Sequence, residues 1–338
     1  MIRYKSVAKK ILVNTPFFIP AILKCTRDIN PRVLVYHRFC NFNDFDEHKI
    51  DNESFEWQLN IISRYFEVLS LGEIFELKQS GKKIPNRTVV LTIDDGYKDF
   101  YLYGFPILKK MGMKATFFVT VNFINQKSWL WPDRIKYALY NTNVQKVNFH
   151  FNNQLFHLDL CGNRSKFNSW NQLSNYCITI KNDEKWKLIN SLDQELGVNI
   201  PKDIPEEYLP VTWQELKLMN ENGIEIGSHT MNHPILSKIN HDELYNEIYN
   251  SKIEIESNLN SRVFSFCYPN SAPGDINDTV IKYVKSAGYR GAVFGGLPGS
   301  HDIFQIPRIG INRIKTEFLL KLSGMDYLIN QRKTPQIF

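Results

Sequence analysis

Short, nearly continuous apolar runs alternate along the chain with stretches whose apolar positions fall three and four apart, the rhythm of buried strands and amphipathic helices. Residues 33–36, 66–71, 88–93, 115–120, 224–227, 263–268 and 289–294 read as strands. Residues 54–66, 72–79, 99–111, 213–222, 242–259 and 277–287 read as helices. Repeated strand–helix units imply a parallel sheet covered by helices, and about seven of them predict a barrel, an α/β fold of the (β/α)7 type.

Residues 122–210 break this rhythm. Residues 147–160 alternate apolar and polar positions on both sides of Asn152 and Asn153, a β-hairpin signature, and helical spacing follows at 166–180 and 183–196. The simplest organisation is a barrel spanning 33–338 that carries 122–210 as an inserted hairpin-plus-helices subdomain, a lid or side wall of the cleft. Residues 1–32 then form a separate N-terminal segment.

Hydrophobic residues make up 43% of the 338 and aromatic residues 13%, enough for a sizeable core. No run reaches the ~20 uncharged apolar residues that span a bilayer. The stretch 11–23 is interrupted by Asn14, Pro16 and Pro20 and lacks a small-residue cleavage site, so it makes a poor export signal. Five cysteines, an odd number without Cys-x-x-Cys spacing, argue against a disulfide framework or a thiolate zinc site and point to a reducing, cytoplasmic compartment.

The net charge of +6 is local. Seven basic residues of 1–32 (Arg3, Lys5, Lys9, Lys10, Lys24, Arg27, Arg32) face Asp28 alone, which leaves the remainder neutral. Interleaved with Ile11, Phe17, Phe18 and Ile22, they suit residues 1–24 to peripheral contact with the inner membrane face; the plain alternative is a helix packed on the barrel with solvated lysines. The neutral body has no basic stripe or recognition motif, which argues against a nucleic-acid partner.

Two polar clusters follow strands. The run at 88–93 ends on Asp94, Asp95 and Gly96, and the run at 224–227 ends on Ser228-His229-Thr230-Met231-Asn232-His233. Asp-Gly alone is ordinary turn chemistry, and two histidines four apart are commonly just loop residues. Together, at strand ends of one βα architecture, they converge where catalytic groups gather. Two neutral imidazoles and one Asp oxygen can form a facial metal set with open positions.

Thr92-Ile-Asp-Asp-Gly96 and His229-Thr-Met-Asn-His233, in that order, resemble the first two motifs of the polysaccharide deacetylases, the NodB-homology or carbohydrate esterase family-four group. The likeness runs from Val33-Leu-Val-Tyr-His-Arg38 to Ile306-Pro-Arg-Ile309. The resemblance implies a distorted (β/α)7 barrel and metal-dependent removal of N-acetyl groups from saccharides. It makes Asp94 the catalytic base, Asp95, His229 and His233 the metal ligands, and zinc the expected ion, with cobalt or another divalent metal accepted.

The third motif departs from the family's pattern. In Phe266-Cys-Tyr-Pro-Asn-Ser271, Cys267 stands where many members have Arg and Asn270 where they have Tyr. Arg308 is the candidate replacement cation for the base. A backbone N–H at Asn270 can still meet a developing oxyanion, and Tyr268 is a further candidate on this loop. The family's late Leu-x-His acid is not found; His301 and His37 are the available substitutes. Trp131, with Trp129, either stacks on a sugar ring or anchors the core of the insertion.

The leading expectation is a hydrolase acting on an acylated saccharide, polymeric, oligomeric or lipid-linked, in cell-surface glycan biosynthesis. The alternatives are a sugar deformylase or O-deacetylase, or a non-catalytic carbohydrate-binding protein that retains the metal.

Overall fold

The computed structural model describes residues 18–26, 29–42, 49–296 and 302–325. Seven strands form the barrel: β1 (Arg32–Tyr36), β2 (Thr88–Ile93), β3 (Ala115–Val119), β4 (Ile224–Ser228), β5 (Ser265–Cys267), β6 (Gly291–Gly295) and β7 (Ile306–Gly310). Each pairs in parallel with the next in sequence, and β7 returns to β1 through Leu34 opposite Ile309, so the sheet closes. β1, β2 and β3 are buried at every position, which is why they read as continuous apolar runs.

Closure is uneven between β2 and β3. β3 pairs with β2 only at Thr92 and Ile93, and the short strand Glu67–Val68 occupies the other half of that edge, opposite Thr88 and Val89. The expected strand at 66–71 therefore shrinks to two residues. A capping box starts the helix Leu71–Gln79 there: Ser70 and Glu73 each bond the other's backbone N–H, which ends the extended run.

Because every barrel strand runs the same way, all the strand C-termini share one rim. Between β3 and β4 the chain forms helix Trp131–Tyr140, the antiparallel hairpin Lys146–Phe151 and Gln154–Asp159, and helices Asn163–Cys177 and Asn182–Glu195. Trp131, Leu139, Phe149, Phe156, Leu173, Leu188 and Leu192 give this segment its own apolar cluster.

Two expected helices contain π turns. The helix at 99–111 opens with Phe100–Gly104, and the helix at 242–259 is broken at Asn246–Asn250. Of the basic N-terminal segment, residues 1–17 lie outside the described residues. Helix Phe18–Cys25 buries Leu23, and Thr26 Oγ1 just beyond it donates to Ser323 O at 2.8 Å, so this part packs on the barrel's last helix, Lys315–Ser323. No described helix is long and apolar enough to cross a membrane.

Candidate active site

The rim loop after β2 sets two adjacent carboxylates to different tasks. Asp94 N donates to Tyr36 O at 3.0 Å and extends the ladder by one bond; the chain then turns left-handed, with φ +80° at Asp95 and +104° at Gly96. Gly96 is needed on two counts, since a Cβ there would also lie 2.7 Å from Ile124 Cδ1.

Asp94 faces into the barrel and meets Arg308 of β7 in a two-pronged pair, Nη1 to Oδ1 and Nη2 to Oδ2, each 2.6 Å. Both residues are buried. Arg308 also donates to Thr92 Oγ1 at 3.1 Å and to Cys267 Sγ at 3.0 Å. Burial alone would raise the Asp94 pKa, but Arg308, then His229 and His37, outweigh it and hold the carboxyl well below its usual range.

Asp95 turns the other way. Its Oδ1 lies 3.6 Å from Nε2 of both His229 and His233. Tetrahedral coordination with metal–ligand bonds of ~2.0–2.2 Å puts ligand atoms roughly 3.4 Å apart, so the three donors have the spacing of a metal set. His229 Nδ1 lies 2.9 Å from Cys267 O; as the donor in that bond it leaves the Nε2 lone pair toward Asp95. Burial lowers the His229 pKa to about 4 and the His233 pKa well below its usual value, so both rings are neutral, the ligating form, at pH 7. Burial, then the charges of Asp94 and Asp133, push Asp95 well above the usual carboxylate range. A cation beside Asp95 would relieve that cost. On spacing and donor chemistry these residues fit a divalent metal.

A cavity of about 520 Å3 opens over both carboxylates. His37, Tyr268, Asn270 and Trp131 line it with Asp94, Asp95, His229, His233 and Arg308. His37 is half-exposed, its Nε2 3.7 Å from Asp94 Oδ2. The Tyr268 hydroxyl is already engaged, donating to Phe304 O at 3.1 Å. Trp131 is both a cavity-lining residue and a member of the apolar cluster between β3 and β4. His301 lies outside the described residues.

Three further features were not expected from the sequence. Glu247, buried in the π turn of the helix after β4, accepts from Met231 N at 2.9 Å, Asn232 N at 2.8 Å and Asn232 Nδ2 at 2.7 Å, and so pins the loop between the two histidines. That loop is otherwise strained, with φ +72° at Thr230 and +56° at His233. Arg38 stacks on Tyr97 at 3.9 Å and bonds Asp99 at 2.6 Å, while the Tyr97 hydroxyl donates to Asp133 at 2.6 Å; this cluster ties the rim to helix Trp131–Tyr140. Cys267 joins both halves of the site, its carbonyl on His229 and its sulfur beside Arg308. The strand that ends on Asp-Asp-Gly gave a signal for the rim, but nothing in the periodicity marks Glu247.

A family model described as polysaccharide deacetylase matches residues 81–152 and 175–292. Among curated proteins, YxkH of Bacillus subtilis (strain 168) is 29% identical over 117 residues, 34% of this chain and 41% of that protein. The poly-beta-1,6-N-acetyl-D-glucosamine N-deacetylase of Staphylococcus epidermidis is 26% identical over 192 residues, 54% of this chain and 62% of that protein. The chain thus matches less than two thirds of the length of either. Among solved structures, the deacetylase PplD of Streptococcus pyogenes in complex with acetate aligns with a TM-score of 0.57 at 19% identity, over 86% of this chain and 97% of that one. At that identity the likeness concerns the fold.

Proposed function

Because the chain belongs to the polysaccharide deacetylase family, we propose that it is a metal-dependent hydrolase that removes N-acetyl groups from a saccharide. One observation carries the reading: a three-donor set, Asp95, His229 and His233, shares a cavity with a separate carboxylate, Asp94, that takes no part in the set and is gripped by Arg308. Metal binding alone has no need of Asp94.

Asp95, His229 and His233 would hold zinc, or cobalt in its place, and the bound ion would supply Lewis acidity and a water of lowered pKa. Asp94 is the base that takes the proton of the attacking water. Arg308 keeps it ionised and fixes the plane of its carboxylate, leaving it the rim-facing lone pairs for that task. The loop after β5, through the backbone at Asn270, meets charge growing on the acyl oxygen. His37, half-exposed beside Asp94, is placed to protonate the leaving amine. Trp131 bounds the space for the sugar. The relatives point to an acetylated polysaccharide or its oligosaccharides as the substrate class.

The test is acetate release from N-acetylated oligosaccharides by the zinc-loaded protein, set against formate release and against O-acetylated sugars. Turnover abolished in Asp94→Asn with metal content retained supports the reading. Metal binding without turnover on any acylated saccharide refutes it and favours a carbohydrate-binding role.

A further inference from the structure

Beyond the groups that act on the acyl bond, the cavity has a second wall, built by the segment between β3 and β4 from Trp131, Phe167, Trp170 and Ser174. Phe167, Trp170 and Ser174 stand at i, i+3 and i+7 of helix Asn163–Cys177 and so share one face. The adjoining face, Ser169, Leu173 and Cys177, is the one buried in the local core. Trp170 packs in part against that core, and the aromatic stripe it forms with Phe167 also lines the cavity.

That stripe is ordered. The Phe167 and Trp170 rings stack at 5.8 Å and 27°, and Trp170 Nε1 donates to Pro132 O at 2.9 Å, which fixes the indole plane. On the same wall, Trp131 Nε1 and Ser174 Oγ are buried without a hydrogen-bond partner among the described residues. Trp131 is only 5% exposed. A buried polar group left unpaired is costly, and two on one cavity wall call for an outside partner.

We propose that this wall is a saccharide subsite for a neutral sugar ring next to the one that carries the acyl group. This rests on the deacetylase reading above and adds to it that the segment between β3 and β4 holds a ring of the saccharide beyond the acylated one. A pyranose offers what the wall lacks: a C–H face for Phe167 and Trp170, and hydroxyls for Trp131 Nε1 and Ser174 Oγ, the latter reached by rotation about its Cα–Cβ bond. A neutral ring fits because the cations lining the cavity face carboxylates of their own. Arg308 is paired with Asp94 and Arg38 with Asp99, and Lys136 acts on Asp133.

The test uses the full zinc-loaded chain with N-acetylglucosamine and its β-1,6-linked trisaccharide as probes. In Trp170→Ala the ratio of kcat/KM for trisaccharide over monosaccharide falls about tenfold, through KM; Trp170→Phe restores it, and Ser174→Ala, which removes one hydroxyl and no core contact, lowers it by a smaller factor. A wild-type ratio in both Trp170→Ala and Ser174→Ala overturns the subsite. Trisaccharide binding to Asp94→Asn, with and without Trp170→Ala, separates the two readings. Binding that needs Trp170 while the wild type releases no acetate sinks the hydrolase and keeps the subsite. Acetate release with a ratio indifferent to Trp170 does the reverse, and failure of Asp94→Asn to bind the trisaccharide overturns the subsite.

Discussion

Arg308 and Asp94, 214 residues apart in sequence, meet through two parallel hydrogen bonds of 2.6 Å inside the barrel. Arg308 reaches Asp94 from β7, and the small Cys267 side chain lies in contact with both. A larger side chain at 267 would compete for the space that the guanidinium fills. The pair is buried, so its two members depend on each other.

Arg308→Met should leave a buried carboxylate uncompensated, lowering stability by about 3–5 kcal/mol and eliminating acetate release. Arg308→Lys keeps the charge but not the fork, so it should fold while kcat drops by at least tenfold. Urea denaturation and an acetate assay check both. Wild-type kcat in Arg308→Lys would show that the two-pronged grip is unimportant.

Chelation should abolish turnover, and zinc or cobalt should restore it. Asp95→Asn and His229→Ala should lose the metal, as read by elemental analysis. Glu247→Ala leaves all three donors in place yet frees the loop between the histidines, and its metal affinity should fall about 10–100-fold in competition with a chelator. Unchanged affinity would show that the loop holds its shape without Glu247.

Gly96→Ala combines a left-handed backbone with a methyl placed 2.7 Å from Ile124 Cδ1. The expected loss is at least about 2 kcal/mol in chemical denaturation. A neutral substitution would mean that the rim loop can shift, and with it Asp95.

Lys185 lies buried on helix Asn182–Glu195, its Nζ 5.1 Å from the Trp131 ring centre. Burial lowers its pKa from 10.5 to about 8, with Cys177 and Glu247 opposing the fall. Between those values the unfolded chain binds more protons than the folded one, so this residue's contribution to stability rises with pH across that window and is unfavourable at neutral pH. Lys185→Met should be more stable than wild type at pH 7, by up to about 3 kcal/mol, and the gap should narrow as pH approaches 10. A gap that does not change with pH would contradict a buried ammonium.

Much of the barrel was legible because a strand covered on both faces must be apolar throughout, and a covering helix must show a stripe. Where local chemistry competes, that reading slips: the Ser70–Glu73 capping box cuts the strand expected at 66–71 to Glu67–Val68. Apolar spacing also does not distinguish an α turn from a π turn, so the break at Asn246–Asn250, and with it the reach of Glu247 to the histidine loop, left no trace in the pattern.

By itself the sequence determined the order of six barrel strands and their helices, though not the closing strand Ile306–Gly310, together with the hairpin around Asn152 and the placing of Asp94, Asp95, His229 and His233 just past buried runs, since each of these follows from local periodicity and turn chemistry. Only the tertiary structure decided which of those groups share a space. Parallel closure brings all the strand ends to one rim, and the left-handed turn at Asp95 and Gly96 aims two neighbouring carboxylates apart, one at Arg308 and one at the histidines. Distances between residues a hundred or more apart are set by how the sheet closes and which way each loop turns, and no window of neighbouring residues contains that information.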